Sequence, residues 1–213
     1  MASIVFYTGT MMSGKTTHLL QNHYNLENAF PGEVLLINKN DRSGDSVCTN
    51  RMGGVSLSTG LTDESNIYDI VTAHEEKTRQ QIKHILVDEV QFLTTTQIEE
   101  LAHLADIRHT NIYAYGLLTS YKGKLFPATQ RLIELADKIV QLENGMRCWC
   151  GKPATHNALY LYEKAVTNGP DDLVDNHKSI HYQVMCRKHF LEHITNTNLS
   201  SQLGRKRAPV TID

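Results

Sequence analysis

The sequence predicts an α/β fold: a parallel sheet with helices on both faces, followed by a small metal-binding unit. Three observations predict it. Short apolar runs alternate with amphipathic stretches through the first two-thirds of the chain, the rhythm of strand–helix–strand crossovers. The first apolar run enters a glycine-rich turn that opens onto a helix-like segment. Three of the four cysteines fall after Glu143, where that rhythm stops.

Taken in order, Ile4 to Tyr7 reads as a buried strand, and Lys15 to Phe30 as a helix closed by Pro31-Gly32. Glu33 to Ile37 is the second strand. Asp41 to Asp63 carries turn residues without a clear period and reads as mostly loop. Asn66 to Gln81 is helical, and Lys83 to Val87 is an apolar strand. Gln97 to Ile107 places Ile98, Leu101, Ala102 and Ala105 at helical spacing, with Thr94 and Gln97 spaced as a capping box. Asn111 to Gly116 and Lys138 to Leu142 are further strands, and the helix Ala128 to Asp137 follows Pro127. Sites in such sheets collect at the carboxyl ends of the strands. The expected divisions are 1–143 for the sheet domain, 144–193 for the metal-binding unit and 194–213 for a polar, mobile tail.

Composition narrows the function classes. The 213 residues can bury a full core, and 40% hydrophobic with 21% charged residues is ordinary for a soluble globular protein. A net charge of −2 gives no electrostatic footprint for nucleic acid or anionic membrane. Arg205-Lys206-Arg207 is the one basic cluster and reads as a solvated tail. No apolar run approaches the roughly 18 residues of a membrane span, and the N-terminus enters a strand directly instead of a secretory signal. A cytosolic setting is expected, with the cysteines as thiols or metal ligands.

Gly9-Thr10-Met11-Met12-Ser13-Gly14-Lys15-Thr16 fits G-x-x-x-x-G-K-[ST], between a strand and a helix as that motif requires. The glycines let backbone N–H groups turn around phosphate oxygens at the positive end of the helix. Lys15 would reach the β- and γ-phosphates of a nucleoside triphosphate, and the Thr16 hydroxyl would ligate Mg²⁺. A glycine turn with an incidental lysine is the alternative. In Ile85-Leu86-Val87-Asp88-Glu89-Val90-Gln91-Phe92 an apolar strand ends in two carboxylates. Strand side chains alternate faces, so Asp88 is assigned to Mg²⁺ and Glu89 to general base for an acceptor hydroxyl. A solvated carboxylate at a strand end is the plain alternative for Glu89.

Cys148, Cys150, Cys186 and His189 supply three thiolates and an imidazole, enough for one closed, structural Zn²⁺ site. Reduced buried cysteines with a surface histidine would also produce the pattern. His193 is a substitute ligand, and Cys48 stands apart in the loop as a lone thiol.

These constellations, in this order, resemble the compact, zinc-containing thymidine kinase family. The resemblance rests on Met12-Ser13-Gly14-Lys15-Thr16, on Asp88-Glu89-Val90-Gln91-Phe92, and on Cys148-Trp149-Cys150 with Cys186-Arg187-Lys188-His189. Tyr115-Gly116-Leu117-Leu118-Thr119-Ser120-Tyr121-Lys122-Gly123-Lys124-Leu125-Phe126 is similar to the family's Y-G-L-R-T-D-F-x-G-x-L-F segment. The likeness runs from about Ser3 to Phe190.

The resemblance implies a P-loop kinase domain and a zinc-bound lasso domain. It implies phosphoryl transfer from ATP to the 5′-hydroxyl of thymidine, with Glu89 as catalytic base and Asp88, Glu89, Val90 and Gln91 as a second ATP-site segment. Phe92, Leu117, Tyr121, Phe126 and Tyr182 match positions around thymidine. A homotetramer and end-product inhibition are also implied. The chain departs from the pattern at Leu118, Ser120 and Tyr121, and it lacks the family's I-G-G run, carrying Val174-Asp175-Asn176-His177-Lys178-Ser179-Ile180-His181-Tyr182 instead. Rival readings are a P-loop ATPase or binding protein without a nucleoside acceptor, and a deoxynucleoside kinase of altered base preference.

Overall fold

Alternation of side chains along short apolar strands decides this architecture, because the central strands of the main sheet bury both of their faces. The computed structural model describes residues 2–39, 47–49, 53–142, 146–162, 164–171 and 180–202. The chain clusters into two compact units. The first comprises 1–8, 14–117 and 127–142, and the second comprises 9–13, 118–126 and the described residues from 143 onward.

In the first unit the order is β1 (Ile4–Thr8), α1 (Lys15–Ala29), β2 (Val34–Asn38), β3 (Val47–Thr49), β4 (Val55–Leu57), β5 (Thr59–Gly60), α2 (Ile67–Thr78) and β6 (His84–Asp88). A 3₁₀ turn (Val90–Phe92), α3 (Thr95–Arg108), β7 (Asn111–Gly116), α4 (Pro127–Leu135) and β8 (Lys138–Gln141) complete it. Six strands form one sheet in the order β5-β2-β6-β7-β1-β8, every pair parallel. The strands are continuous apolar runs, as a doubly covered sheet demands, and their side chains point alternately to its two faces. Phe6, Leu35, Ile37, Ile85, Val87, Ile112 and Ala114 pack with α2, α3 and α4 residues such as Val71, Leu101 and Leu132. Val34, Leu36, Leu86 and Tyr115 face the other way, against Leu19 of α1. Helices therefore cover both faces, as the sequence predicts.

The helix starts follow their caps. Asn66 accepts the Asp69 N–H at 3.2 Å. The capping box at α3 is complete, with Thr94 and Gln97 exchanging two bonds of 3.1 Å. α4 begins on Pro127, whose missing N–H costs nothing in a first turn.

The stretch expected to be mostly loop contains strands among its described residues. β3 and β4 pair antiparallel, Cys48 opposite Ser56. β5 extends the main sheet at its edge, Ile37 opposite Thr59. Strands of two and three residues are too short to display a period, and Val55 and Leu57 are exposed.

In the second unit β9 (His156–Leu161), β10 (Lys164–Val166) and β11 (Ile180–Met185) form an antiparallel sheet ordered β10-β9-β11. α5 (Arg187–Gln202) follows and continues past residue 193, where the tail was expected to begin. Lasso residues 174–179 and the basic run 205–207 lie outside the described residues. Among the described residues, no helix is long and apolar enough to cross a membrane.

Candidate functional site

The glycine-rich motif bends sharply before α1. Met12 and Gly14 both adopt left-handed backbone, at φ of 61° and 77°. For Met12 that conformation is strained, and such strain in a non-glycine residue collects at functional loops. The Ser13 N–H donates to the Thr10 carbonyl at 3.2 Å, closing the turn. No side chain caps α1 at Gly14. One loop amide is claimed from far along the chain: the Met11 N–H donates to Asn157 Oδ1 at 2.9 Å, from a buried position on β9. At the end of β1, the buried Thr8 hydroxyl has no hydrogen-bond partner among the described residues.

Lys15 is only 7% exposed. Burial lowers its pKa, while the charges of Glu89 and then Asp88 oppose that shift. Asp88 closes β6 and is buried. Its Oδ2 accepts the Thr16 hydroxyl at 3.0 Å and the Cys48 thiol at 3.4 Å, and its Oδ1 accepts the Glu89 N–H at 3.0 Å. Burial, and then repulsion from Glu89, push its pKa up against these donors. A hydroxyl beside a buried carboxylate is a hard oxygen pair of the kind that suits a divalent cation such as Mg²⁺. Cys48 was expected to stand apart in a loop. It lies buried on β3 against Asp88, and burial raises its thiol pKa, with further help from the Asp88 charge and hydrogen bond.

Glu89 does not take the next pleat of the strand, as the alternation argument supposed. β6 ends at Asp88, and Glu89 turns left-handed at φ 52°. A backbone reversal therefore separates the two carboxylates. Val90 is fully buried, and Phe92 ends the 3₁₀ turn. Gln91 donates from Nε2 to Glu89 Oε2 at 2.6 Å and accepts the Leu117 N–H on Oε1 at 2.9 Å. The first unit thus brings together Lys15, Thr16, Asp88, Glu89 and Gln91.

Phe92 and Leu117 belong to this unit, whereas Tyr121, Phe126 and Tyr182 belong to the second. Tyr121 and Tyr182 share a cluster with Leu159 and Val166, and Phe126 is buried. Ser120 opens a tight turn in which its backbone N–H donates to the Lys124 carbonyl at 2.9 Å. Gly123 sits at φ 72° against Phe190, where a Cβ would lie 2.7 Å from the ring.

Cys148, Cys150, Cys186 and His189 converge, their ligand atoms all within 4.8 Å of one another. The pairs measure 3.1 Å for Cys148 Sγ to His189 Nδ1, 3.8 Å for Cys150 Sγ to Cys186 Sγ, and 3.6 Å for Cys186 Sγ to His189 Nδ1. A tetrahedral Zn²⁺ with usual bond lengths spaces two sulfurs by about 3.8 Å and sulfur from nitrogen by about 3.6 Å. The donor set therefore fits such an ion. Burial works against the Cys148 thiolate, but the backbone amides of Cys150 and Cys186 and the His189 ring bring its pKa down to about 6. Trp149 stacks on His189 with centroids 4.4 Å apart. The substitute ligand His193 is elsewhere, edge-on to Tyr160 at 5.0 Å.

Sequence reasoning missed Asn157 and the placement of Cys48. Their partners lie 146 and 40 residues away, and no local pattern signals such contacts.

A parallel α/β sheet whose first strand leads into a glycine-rich motif, in a chain that also carries a Cys₃His cluster, defines a broad class of two-part α/β proteins. Comparison with known proteins narrows the class. The family model described as thymidine kinase matches residues 2–190, and the chain belongs to the thymidine kinase family. A thymidine kinase from Cutibacterium acnes is 36% identical over 98% of this chain and 97% of that protein. One from Streptomyces coelicolor is 34% identical over 99% of each. One from Escherichia coli K12 is 33% identical over 97% of this chain and 99% of that protein. Among solved structures, the Pif1 helicase from Candida albicans superposes with a TM-score of 0.43 at 14% identity, covering 68% of this chain and 38% of that one.

Proposed function

We propose that this member of the thymidine kinase family transfers the γ-phosphoryl of ATP to the 5′-hydroxyl of thymidine, using Lys15, Asp88 and Glu89 as its charged machinery. The observation that carries the reading is the burial of Lys15 within the charge field of Glu89 and Asp88, with the Thr16 hydroxyl on the same Asp88 carboxylate. Lys15 offsets negative charge on the transferring group, an electrostatic role that gains strength in a water-poor site. Glu89 takes the proton of the attacking hydroxyl. Thr16 and Asp88 would hold Mg²⁺, which when bound neutralises phosphate charge. Gly9 to Thr16 form the phosphate loop in this reading. Phe92, Leu117, Tyr121, Phe126 and Tyr182 are proposed as thymidine-binding residues on the strength of the family resemblance.

Zn²⁺ in the Cys₃His cluster, a homotetramer and a cytosolic setting belong to the same reading. The cluster spacings support the first, and family resemblance supports the other two. The test is ADP production with and without nucleoside. A thymidine-dependent rise, matched by dTMP, is expected. Equal ADP production without any nucleoside would leave a P-loop ATPase.

A further inference from the structure

We propose that Gln91 is a positioning residue for the acceptor base. Its side-chain amide fixes the Glu89 carboxylate to the end of β7, and the proposal rests on the reading of Glu89 as base. Gln91 is 3% exposed, and both ends of its amide are engaged. The two partners leave one orientation: an ionised carboxylate only accepts and a backbone N–H only donates. Nε2 must therefore face Glu89, and Oε1 must face Leu117. The 2.6 Å bond to Glu89 is short, as charge assistance makes such bonds.

The anchor is itself held. The Leu117 carbonyl accepts the hydroxyl of Thr129, fully buried on α4, at 3.1 Å. The strand end also makes room for the amide. A Cβ on Gly116 would lie 2.4 Å from Gln91 Oε1 and 2.8 Å from Val90 Cγ1. Gly116 is absent from the positive-φ residues, so close approach and not backbone conformation calls for glycine there. Glu89 needs such a hold, because its own backbone is left-handed and its side chain is only half-buried. A base fixed before the acceptor arrives has little freedom left to lose on the way to the transition state.

Gln91→Leu keeps the volume and removes both bonds. It should lower kcat for thymidine phosphorylation by about 10- to 100-fold. KM for ATP and the affinity for a fluorescent ATP analogue should stay within about twofold, the pattern of an interaction used only in the transition state. Gly116→Ala displaces the amide without deleting it and should give the same split. In a Glu89→Gln background, Gln91→Leu should add no further loss, since a residue acting through another is silent once that partner is gone. Wild-type kcat in both Gln91→Leu and Gly116→Ala overturns the proposal. So does a full multiplicative loss in the Glu89→Gln background, or a rise in KM for ATP at unchanged kcat, which would make Gln91 a nucleotide contact. Wild-type turnover of Glu89→Gln alone is a different failure: it removes the base, and the positioning role with it.

Discussion

Lys15, Asp88 and Glu89 carry charges that influence one another, yet their variants should fail differently. Glu89→Gln should lose about 10²–10⁴ in turnover and keep ATP affinity, because only proton transfer is removed. Lys15→Ala should weaken nucleotide binding and turnover together, since an ammonium on phosphate acts in ground and transition states alike. Steady-state kinetics beside direct nucleotide binding separate the two patterns. Cys48 offers a finer probe. Its thiol donates to the Asp88 oxygen that also holds Thr16. Cys48→Ser keeps a donor, whereas Cys48→Val leaves the carboxylate one bond short. The Mg²⁺ concentration giving half-maximal activity should rise about two- to tenfold in the valine variant alone, the size of one hydrogen bond.

The metal-binding elements are where folding and ligand should be linked most tightly. β9, β10, β11 and α5 enclose two small apolar clusters, one of which includes Cys148 and Cys186. Freshly purified, reduced protein should contain one zinc per chain by elemental analysis. Chelation should raise hydrogen exchange in β9–β11 and α5 while the parallel sheet stays protected. His189→Ala should lose the metal, and His193→Ala should retain it. The same contrast explains what the sequence made legible. In the parallel sheet, buried runs such as Ile85-Leu86-Val87 fill both faces, so their signal is strong and the expected strand bounds fall within a residue or so. β3, β4 and β5 escaped notice because two or three residues cannot carry a period. β11 does alternate, with the apolar Ile180, Tyr182 and Val184 on one face and the polar His181 and Gln183 on the other, but it stands outside the strand–helix rhythm that marks the parallel sheet. The groupings of side chains were legible where they depend on motif spacing, as with Thr16 beside Asp88 and the convergence of Cys148, Cys150, Cys186 and His189. They were not legible where folding joins distant residues, as at Cys48 and Asn157.

For the whole molecule, substrate choice is the sharpest test. An apolar pocket gives up only about 1–3 kcal/mol for a missing methyl group. Thymidine should therefore be preferred, deoxyuridine tolerated, and deoxycytidine and purine nucleosides poor, in an assay across a nucleoside panel. Tyr182→Ala should raise KM for thymidine far more than KM for ATP. Equal kcat/KM for thymidine and deoxycytidine would remove the proposed preference for thymine. One contact reaches further than substrate choice. The Met11 amide in the glycine-rich loop is held by Asn157, a residue of the same sheet that abuts the cysteine–histidine cluster. If metal keeps that sheet in place, it also keeps in place an amide of the proposed phosphate loop. Thermodynamic reciprocity then requires the favour to be returned. ATP should strengthen the protein's hold on zinc, measured by competition with a chromogenic chelator, by the same factor that zinc strengthens its hold on ATP. Asn157→Ala should uncouple the two affinities, leaving a protein that binds each ligand indifferent to the other.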